Sequence, residues 1–377
     1  MKMYDAIIVG AGPAGCAGAF DLCRAGRSVL LIDRRRFPRL KACAGGLTVK
    51  TVNALRYSIR PVIRHVTHNL RVGKGVCDTR LLQSSHPIAA LTVRSEFDHY
   101  CLEKTIGTGA EFKIVKRINN LVIEKERVFL ITDSGEIHGR FVIGADGANS
   151  RIRKLMGESR WLHSGLAIEA CLPMYGMPPP DMEFDFGVVQ GGYGWIFPKG
   201  DHVNVGLYSN ARGMKLSRKH LATYVEKRLG LTGIKELAGQ QVSLGGADYH
   251  PASNRVFLAG DAAGLIDPLL GEGIYNAIRS GQAAASAIES ELSGRDRAID
   301  VFKSLLAPVQ TDVASCRRSA TWFYGNLQRG YRLLTSPVIR YALMKGFAMS
   351  MPFCRIKKLF YLTPFFRVKV VDDLVRR

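Results

Sequence analysis

Short apolar runs that end at a glycine or an acidic residue predict buried strands at four points along the chain. Residues 4–9 and 28–32 form the first two runs, and an alanine-rich stretch between them predicts a helix over residues 13–25. Residues 140–143 and 255–259 form two more runs, each followed by a loop of small residues. The sequence therefore predicts an α/β fold whose parallel sheet is assembled from distant parts of the chain.

A different pattern follows in the second half of the chain. Between residues 158 and 251, short segments of alternating polarity predict a mainly antiparallel sheet, interrupted at prolines 178–180 and followed by a helix over residues 217–229. From residue 298 onward the pattern is helical. Breaks in the helices are expected near Pro337, Pro352 and Pro364. These segments predict a cap beside the parallel sheet and a separate helical region.

The loop after the first strand has the spacing Gly10-x-Gly12-x-x-Gly15, and Asp33 ends the second strand. Gly10 permits a tight turn, Gly12 lets the backbone approach a pyrophosphate, and Gly15 lets the helix pack closely on the strand. The helix N-terminus stabilises the anion, and Asp33 can accept hydrogen bonds from ribose hydroxyls. An ordinary βαβ turn would not explain an acid at this position, so the pattern predicts a dinucleotide site.

Two later loops, at residues 144–150 and 260–274, favour a flavin over a nicotinamide as the bound cofactor. Their small residues let the backbone come close to a ligand. Asp261 is placed to accept a hydrogen bond from a ribityl hydroxyl. The helix that begins near Gly273 can direct its positive end at a flavin ring that becomes anionic on reduction. The three loops together predict FAD.

With these three segments in order, the chain resembles FAD-dependent oxidoreductases of the aromatic-hydroxylase fold over residues 1 to about 295. The segment KACAGG at residues 41–46 is similar to a segment of geranylgeranyl reductases within that group. The segment YGWIFP at residues 193–198, followed by Gly206, is similar to their aromatic signature. Hydroxylases of this fold usually show GDAAH, where this chain has Gly264, and halogenases carry a WxWxIP element that this chain lacks.

The motifs and the resemblance together imply a set of cofactor-binding residues. They are Gly10, Gly12, Pro13, Ala14, Gly15, Asp33, Arg34, Cys43, Ala44, Gly45, Arg94, Asp146, Gly147, Gly260, Asp261, Gly271, Gly273 and Ile274. The resemblance places the loop of Cys43 beside the flavin ring, and an arginine such as Arg94 against the phosphate and ribose of FAD. Cys43 is accordingly the predicted catalytic residue, as proton donor or in positioning the substrate. The alternative is an inert buried thiol.

Tyr193, Trp195 and Phe197 alternate along one predicted strand, so their side chains share a face. Three aromatic rings on one face suit a long apolar substrate, and with Gly46 they are predicted to bind it. The alternative is that these rings only form core. The eight cysteines contain no CxxC or CxxH grouping, so no metal site is predicted.

The expected organisation is a Rossmann-type FAD-binding domain with an inserted, mainly antiparallel substrate domain and a helical C-terminal region. The FAD-binding domain is predicted to be discontinuous, over residues 1–62, 86–157 and 252–295. The substrate or cap domain takes residues 63–85 and 158–251. Residues 296–377 form the helical, basic C-terminal region.

The resemblance implies a reductase that saturates carbon–carbon double bonds of a geranylgeranyl-type polyprenyl chain by hydride transfer from reduced flavin and protonation. Its partner would be a polyprenyl lipid or a prenylated small molecule. The chain has one dinucleotide fingerprint, so the flavin is expected to be reduced externally by NAD(P)H or by another donor such as a ferredoxin. Two alternatives stay open: an FAD-dependent monooxygenase acting on an apolar substrate, and a non-enzymatic flavoprotein that binds membranes or nucleic acid.

The chain of 377 residues carries 53 Lys and Arg against 32 Asp and Glu, a net charge of +21, which indicates an anionic partner. Residues 331–377 hold ten basic and two acidic residues among aromatic and methionine side chains, a pattern that favours an anionic membrane surface. The alternative is a solvated basic helix. Nucleic acid is not expected, because no recognised binding module is present. The N-terminus does not read as a signal peptide, and no apolar run is long enough to span a bilayer. We therefore expect a cytoplasmic protein that associates peripherally with the inner face of the membrane.

Overall fold

The computed structural model describes residues 2–159, 162–174, 176 and 178–360. Within them the chain forms three β-sheets and a set of helices. The strands are β1 Met3–Val9, β2 Val29–Asp33, β3 Gly46–Thr48, β4 His65–Thr67, β5 Asn69–Lys74, β6 Asp78–Gln83, β7 Ala89–Leu91, β8 Glu111–Ile114, β9 Ile118–Ile123, β10 Val128–Thr132, β11 Gly135–Gly144, β12 His163–Pro173, β13 Met182–Phe186, β14 Gly192–Pro198, β15 His202–Ser209, β16 Ala238–Leu244 and β17 Val256–Leu258. The α-helices are α1 Pro13–Arg24, α2 Val49–Ala54, α3 Arg94–Ile106, α4 Arg151–Leu155, α5 Arg218–Leu229, α6 Ile274–Leu292, α7 Ala298–Gly325, α8 Leu327–Thr335, α9 Pro337–Ala348 and α10 Phe353–Leu359.

The parallel sheet has the strand order β8-β2-β1-β11-β17, and each neighbouring pair is parallel. Its apolar strands are buried because helices cover the sheet, which is why they appear in the sequence as nearly continuous hydrophobic runs. The strands β9 and β10 form an antiparallel hairpin that continues onto the first half of β11. For this reason β11 begins at Gly135, earlier than the run predicted at residues 140–143.

The helices α1 and α6 pack together through glycines. A Cβ atom added to Gly281 of α6 would lie 2.1 Å from the carbonyl oxygen of Ala14, and one added to Gly18 would lie 3.1 Å from the carbonyl oxygen of Gly281. Both distances are shorter than ordinary van der Waals contacts. The backbones of the two helices can approach this closely only because neither glycine carries a side chain.

A second sheet, which we call the cap sheet, has the order β16-β12-β15-β14-β13-β5-β6. It is antiparallel except for the pairing of β5 with β13, which is parallel. Its outer face packs on α5 through a cluster that includes Val205, Leu207, Leu221 and Tyr224. Its inner face turns toward the parallel sheet. A small third sheet has the order β3-β7-β4.

The α/β fold with an antiparallel cap sheet and C-terminal helices is confirmed. The cap-sheet strands come from residues 69–83 and 163–244. The domain boundaries given above stay a prediction. The predicted helix over residues 217–229 is α5, whose N-cap Ser217 accepts a hydrogen bond from the backbone N–H of His220.

The C-terminal helices break at two of the predicted prolines, Pro337 and Pro352, and at one further place. That extra break follows Gly325 at Asn326, residue types that form helices poorly. Pro308 lies inside α7 without ending it. The predicted break at Pro364 lies outside the described residues. In the part of the chain that the structure describes, no helix is both long and apolar enough to cross a bilayer.

We predict that Gly281→Ala lowers the stability of the protein by about 1–3 kcal/mol, because the added methyl group must push α6 away from Ala14. Gly325→Ala is the matched control. A Cβ there meets no atom within 4 Å, and alanine has the higher helix propensity. Thermal unfolding midpoints of the two variants test the prediction. Equal midpoints for Gly281→Ala and the wild type would contradict it.

Candidate functional site

A cavity of about 1210 Å³ lies between the carboxyl ends of the parallel strands and the inner face of the cap sheet. Ligands of open α/β sheets bind outside the carboxyl ends of the strands, where the chain changes direction. Here β1 leads to Gly10, β2 to Asp33, β11 to Asp146 and β17 to Asp261, and all four residues line the cavity. One end of the cavity is therefore built from loops that can hold a polar ligand.

The three glycines of the first loop serve different purposes. Gly10 has φ +103°, and a Cβ there would lie 2.3 Å from the carbonyl oxygen of Ala145. A Cβ on Gly15 would lie 1.8 Å from the carbonyl oxygen of Gly10. At Gly12, in contrast, a Cβ would meet only the guanidinium of Arg39, at 3.6 Å. Gly10 and Gly15 are thus required by the packing of the chain itself, whereas Gly12 keeps open a space in the cavity wall.

Asp33 lies at the cavity end of β2 and is held by the loop beside it. Its Oδ2 accepts a hydrogen bond of 2.9 Å from the backbone N–H of Ala11, and its Oδ1 accepts one of 2.9 Å from the backbone N–H of Arg35. Arg39 lies 4.0 Å from the same carboxylate. Asp33 is therefore fixed as an acceptor next to cationic side chains, an arrangement suited to a ribose and a diphosphate.

The acidic residues of the two later loops, Asp146 and Asp261, have different surroundings. The carboxylate of Asp146 is engaged by α4, because it accepts hydrogen bonds from Ser150 Oγ and from the backbone N–H groups of Arg151 and Ile152. Burial raises the pKa of Asp146. Asp261 lies in a 3₁₀ turn and has no such side-chain acceptor role in the described residues. Asp261 therefore has its carboxylate available to a ligand, whereas Asp146 chiefly caps a helix.

Gly273 precedes α6 and provides no side-chain cap for it. The first N–H groups of this 19-residue helix lack intrahelical partners and lie at the cavity wall, where Ile274 and Gly271 also lie. A helix start of this kind stabilises negative charge. Gly260, by comparison, packs between Ala14 and Ala277. It does not line the cavity.

The structure brings the predicted site residues together around this cavity, with two exceptions. Gly15 and Gly260 lie behind the wall and act through packing. The predicted residues that line the cavity are Gly10, Gly12, Pro13, Ala14, Asp33, Arg34, Cys43, Ala44, Gly45, Gly46, Arg94, Asp146, Gly147, Tyr193, Trp195, Phe197, Asp261, Gly271, Gly273 and Ile274.

The loop of Cys43 is held on both sides. Cys43 Sγ accepts a hydrogen bond of 3.4 Å from the backbone N–H of Gly45, and Lys199 Nζ donates one of 2.6 Å to the carbonyl oxygen of Ala44. The guanidinium of Arg94 lies against Cys43. The loop therefore presents Cys43 to the cavity in a fixed position.

Part of the guanidinium group of Arg94 is already bonded within the protein and is not available to a ligand. Its Nε and one Nη each donate a hydrogen bond of 2.9 Å to the carboxylate of Asp98, which is fully buried. Burial alone would lower the pKa of Arg94, but the carboxylate of Asp98 and the neighbouring Cys43 together raise it. Arg39 also contacts Asp98, at 3.3 Å. The sequence indicated Arg94 but not the buried carboxylate that holds it.

The inner face of the cap sheet makes the other end of the cavity apolar. Tyr193, Trp195 and Phe197 are buried there, and the ring of Phe184 packs edge-on against Tyr193 and Phe197. The hydroxyl of Tyr193 donates a hydrogen bond to the carbonyl oxygen of Leu270, and Trp195 Nε1 donates one of 2.7 Å to Asn204 Oδ1. With these polar atoms satisfied, the rings present apolar surface to the cavity.

The C-terminal helices complete the apolar end, which the sequence did not indicate. Phe323 of α7, Leu333 of α8 and Leu343 of α9 are among the residues that line it. No motif marks these positions, because their role depends on how the helices fold back over the cap sheet. We call this part of the cavity, between the Cys43 loop and α7–α10, the apolar arm.

Glu169 on β12 also lines the cavity and was not predicted. Burial raises the pKa of its carboxyl group, and the neighbouring backbone N–H of Cys43 and side chain of Asn204 oppose this rise. Burial lowers the pKa of the nearby Lys199 to about 8. The available sequence signal was weak: a single acid among apolar residues in the segment AIEAC. Among the described residues, no group of three or more His, Cys, Asp or Glu is arranged to hold a metal ion.

Comparisons with known proteins identify the ligand of the polar end. A family model described as an FAD binding domain matches residues 3–182. The open wall at Gly12, the fixed Asp33 and the uncapped start of α6 fit such a dinucleotide. FAD is therefore the cofactor of this chain. It would be held by the glycine loop, Asp33, Asp261 and the start of α6.

Three curated relatives cover most of the chain. An uncharacterized protein of Methanosarcina barkeri is 34% identical over 343 residues, covering 89% of this chain and 88% of that protein. A menaquinone reductase of Mycobacterium tuberculosis is 32% identical over 330 residues, covering 80% and 79%. A digeranylgeranylglycerophospholipid reductase of Methanosarcina acetivorans is 28% identical over 333 residues, again covering 80% and 79%.

The fold also matches a solved structure. A geranylgeranyl bacteriochlorophyll reductase-like protein of Thermoplasma acidophilum superposes with a TM-score of 0.78 at 22% identity. The match covers 99% of this chain and 100% of that chain. At this identity the likeness shows the fold.

We predict that Gly12→Ala weakens FAD binding roughly tenfold or more, or about 1.4 kcal/mol, while the cofactor-free protein stays folded. The added methyl group meets only Arg39 in the protein, but it occupies the space that Gly12 keeps open. Flavin fluorescence titration of the apoprotein and its unfolding midpoint measure the two effects. Gly107→Ala, at an ordinary helical φ after α3, is the control. An unchanged FAD affinity in Gly12→Ala would contradict the role given to this glycine.

Proposed function

Because the chain belongs to the geranylgeranyl reductase family of FAD-dependent oxidoreductases, we propose that it saturates carbon–carbon double bonds of a geranylgeranyl-type polyprenyl chain. The observation that carries this proposal is the apolar arm. It extends from the Cys43 loop, past the rings of Tyr193, Trp195 and Phe197, to the C-terminal helices. A long hydrocarbon chain without polar groups is the ligand that such a pocket can bury. A polyprenyl lipid or a prenylated small molecule has this chemistry.

The names of the relatives support the same class of substrate. One is a digeranylgeranylglycerophospholipid reductase and another a menaquinone reductase. These names differ in the group to which the prenyl chain is attached. The shared element is the isoprenoid chain, and we propose that the apolar arm holds this part of the substrate.

FAD bound at the polar end would, once reduced, supply a hydride. The residues of this chain bind the substrate beside it, orient the double bond and exclude water. Trp195 and Phe197 provide flat walls for the chain, and the Cys43 loop separates the arm from the polar end. Whether Cys43 itself is catalytic stays a prediction. We propose that NAD(P)H or an electron-donor protein reduces the flavin.

We predict that the protein, reduced under anaerobic conditions and given a geranylgeranyl lipid in detergent, adds hydrogen to the prenyl chain in pairs. Mass spectrometry of the product counts the hydrogens gained. Trp195→Ala should lower the rate roughly tenfold or more, about 1.4 kcal/mol of lost transition-state stabilisation, because the double bond loses one wall. Phe129→Ala, on β10 away from the cavity, is the aromatic control.

The same experiment tests the alternative function. A protein with bound flavin that adds no hydrogen to the prenyl chain, but consumes oxygen when an apolar substrate is present, would be a monooxygenase. That outcome would contradict the proposed reductase. Retention of the full rate by Trp195→Ala would contradict the proposed position of the substrate in the apolar arm.

We also propose that the C-terminal helices dock on an anionic membrane. Residues 327–360 contain no Asp or Glu. Six basic residues of α8–α10 are exposed: Arg329, Arg332, Arg340, Lys345, Arg355 and Lys358. Tyr341 and Met349 are also exposed, with 66% and 55% of their surface open. Basic side chains beside exposed aromatic and apolar ones suit a lipid interface. The rest of the basic segment, residues 361–377, lies outside the described residues.

The double variant Arg340→Glu, Lys345→Glu should bind anionic vesicles roughly tenfold or more weakly than the wild type, because each basic residue near such a surface contributes about 1 kcal/mol. Co-sedimentation with vesicles that contain phosphatidylglycerol, at low and high salt, measures the effect. Lys219→Glu, an exposed basic residue of α5, is the charge-reversal control. Salt-insensitive binding, or equal losses in both variants, would argue against docking through these helices.

A further inference from the structure

We propose that Glu169 donates the proton to the substrate double bond, and that Asn204 and the Cys43 loop hold its carboxyl group in place. This inference rests on the proposed function, because it names the acid that the reduction requires. Cys43 then positions the donor through its backbone N–H. Four observations support the assignment: the place of Glu169 on the cap sheet, the polar groups beside its carboxyl, its charged neighbours and the chemistry of the reaction.

Glu169 lies in the same row of the cap sheet as the aromatic signature. It pairs with Gly206 on β15, and Gly206 pairs with Trp195 on β14. Side chains along such a row point to the same face of the sheet, and both Glu169 and Trp195 line the cavity. Among the described cap-sheet residues that line the cavity, Glu169 carries the one carboxyl group. An acid on an otherwise neutral face next to the substrate pocket calls for a functional explanation.

Gly206 explains how Trp195 reaches toward this acid. A Cβ on Gly206 would lie 2.2 Å from the indole ring of Trp195, so the ring lies directly over the glycine backbone. From there Trp195 Nε1 donates its hydrogen bond to Asn204 Oδ1. The amide of Asn204 thereby directs its NH₂ group away from Trp195, where it donates a hydrogen bond of 3.7 Å to Cys171 Sγ and lies beside the carboxyl group of Glu169. The aromatic signature thus places a fixed amide next to the acid as well as forming a wall.

The Cys43 loop approaches Glu169 from the opposite side of the cavity. The backbone N–H of Cys43 lies beside the carboxyl group, and the Cys43 loop is itself fixed by Lys199, which donates a hydrogen bond to the carbonyl oxygen of Ala44. The carboxyl group therefore lies between the cap sheet and the loop that joins β2 to β3. This is the point where the polar end of the cavity meets the apolar arm.

The charged groups around Glu169 suit an acid that must lose a proton and regain it. Burial raises the pKa of Glu169, although the backbone N–H of Cys43, the amide of Asn204 and the charges of Arg94 on α3 and Lys199 after β14 oppose this rise. Cys171, on the same strand as Glu169, and the Cys43 thiol are the other titratable groups nearby. The net effect keeps the carboxyl protonated to higher pH than an exposed glutamate. Once the proton has left, Arg94 and Lys199 stabilise the carboxylate.

The reaction balances with this assignment. The π bond of the alkene breaks, and two C–H bonds form. One carbon takes the hydride supplied by the reduced cofactor, which is thereby oxidised, and the other takes the proton from the Glu169 carboxyl. Glu169 is left as a carboxylate and regains a proton from solvent. An isolated alkene accepts a hydride poorly, so a proton supplied at the second carbon lowers the barrier.

The test compares Glu169→Gln with Glu183→Gln in the FAD-loaded protein. Glu183 is a matched control because it is also a buried carboxyl of the cap sheet, but it lies on the outer face, where Arg228 binds it at 2.8 and 2.6 Å. We expect Glu169→Gln to lower single-turnover hydrogen addition roughly a hundredfold or more, the usual contribution of a general acid. Glu183→Gln should keep the wild-type rate, and both variants should keep their flavin content.

Two further readouts separate a proton donor from a structural group. In the wild type, the rate should fall as pH rises through the pKa of Glu169, because the acid form is lost, whereas the residual rate of Glu169→Gln should not follow this step. Infrared spectra of the resting protein should show a protonated carboxyl band that shifts in D₂O and is absent from Glu169→Gln. Asn204→Ala should retain the acid, shift this band and lose part of the rate. It serves as the second variant if Glu169→Gln fails to fold.

The outcomes distinguish this inference from the proposed function. If the wild type reduces the prenyl chain and Glu169→Gln does so at a similar rate, the assignment of Glu169 is wrong while the reductase function stands. The same holds if the protonated carboxyl band is unaffected by Glu169→Gln. If the wild type adds no hydrogen to any prenyl substrate, both proposals are overturned.

Discussion

The buried carboxylate of Asp98 fixes the relation between the two ends of the cavity. A carboxylate without solvent contact is costly unless cations meet it. Here Arg94 binds it with two hydrogen bonds and Arg39 approaches it from the other side. Arg94 is thereby held beside Cys43, and Arg39 beside Gly12 and Asp33. One buried charge thus connects the nucleotide loop with the Cys43 loop at the start of the apolar arm.

The cap sheet shows how one strand pattern can serve two purposes. Residues of one parity along β14 and β15 pack on α5, and those of the other parity face the cavity. The aromatic rings and Glu169 belong to the inner set, and their spacing is fixed by strand register. A slip of one residue in β12 would move Glu169 to the outer face and place Ile168 or Ala170 in the cavity. The register of this sheet is therefore a functional constraint as well as a structural one.

The polar end of the cavity could be predicted from sequence because its determinants are local. The glycine loop, the helix start and the acid at the end of β2 lie within residues 10–33, and strand–turn–helix geometry follows from them directly. Arg34 was chosen from this segment, whereas the structure places Arg39 nearer to Asp33 and Asp98. Arg39 lies there because Asp98 of α3 attracts its guanidinium group. Asp98 is some sixty residues later in the chain, so no local sequence pattern indicates this contact. The same limit applies to Glu169 and to the C-terminal wall, which are placed by strand pairing and helix packing between distant segments.

The apolar arm has a consequence for how a long substrate moves within it. The polar atoms of Tyr193 and Trp195 are already bonded to Leu270 and Asn204, so these aromatic side chains offer the chain no directional contact. Dispersion and hydrophobic contacts hold a hydrocarbon nearly as well in one register as in the next. An isoprenoid repeats its methyl branches at regular intervals, and a shift by one repeat restores the same contacts. Under the proposed function, an isoprenoid chain in this arm would therefore be free to slide unit by unit past the reacting position, so that its successive double bonds would react before the lipid is released.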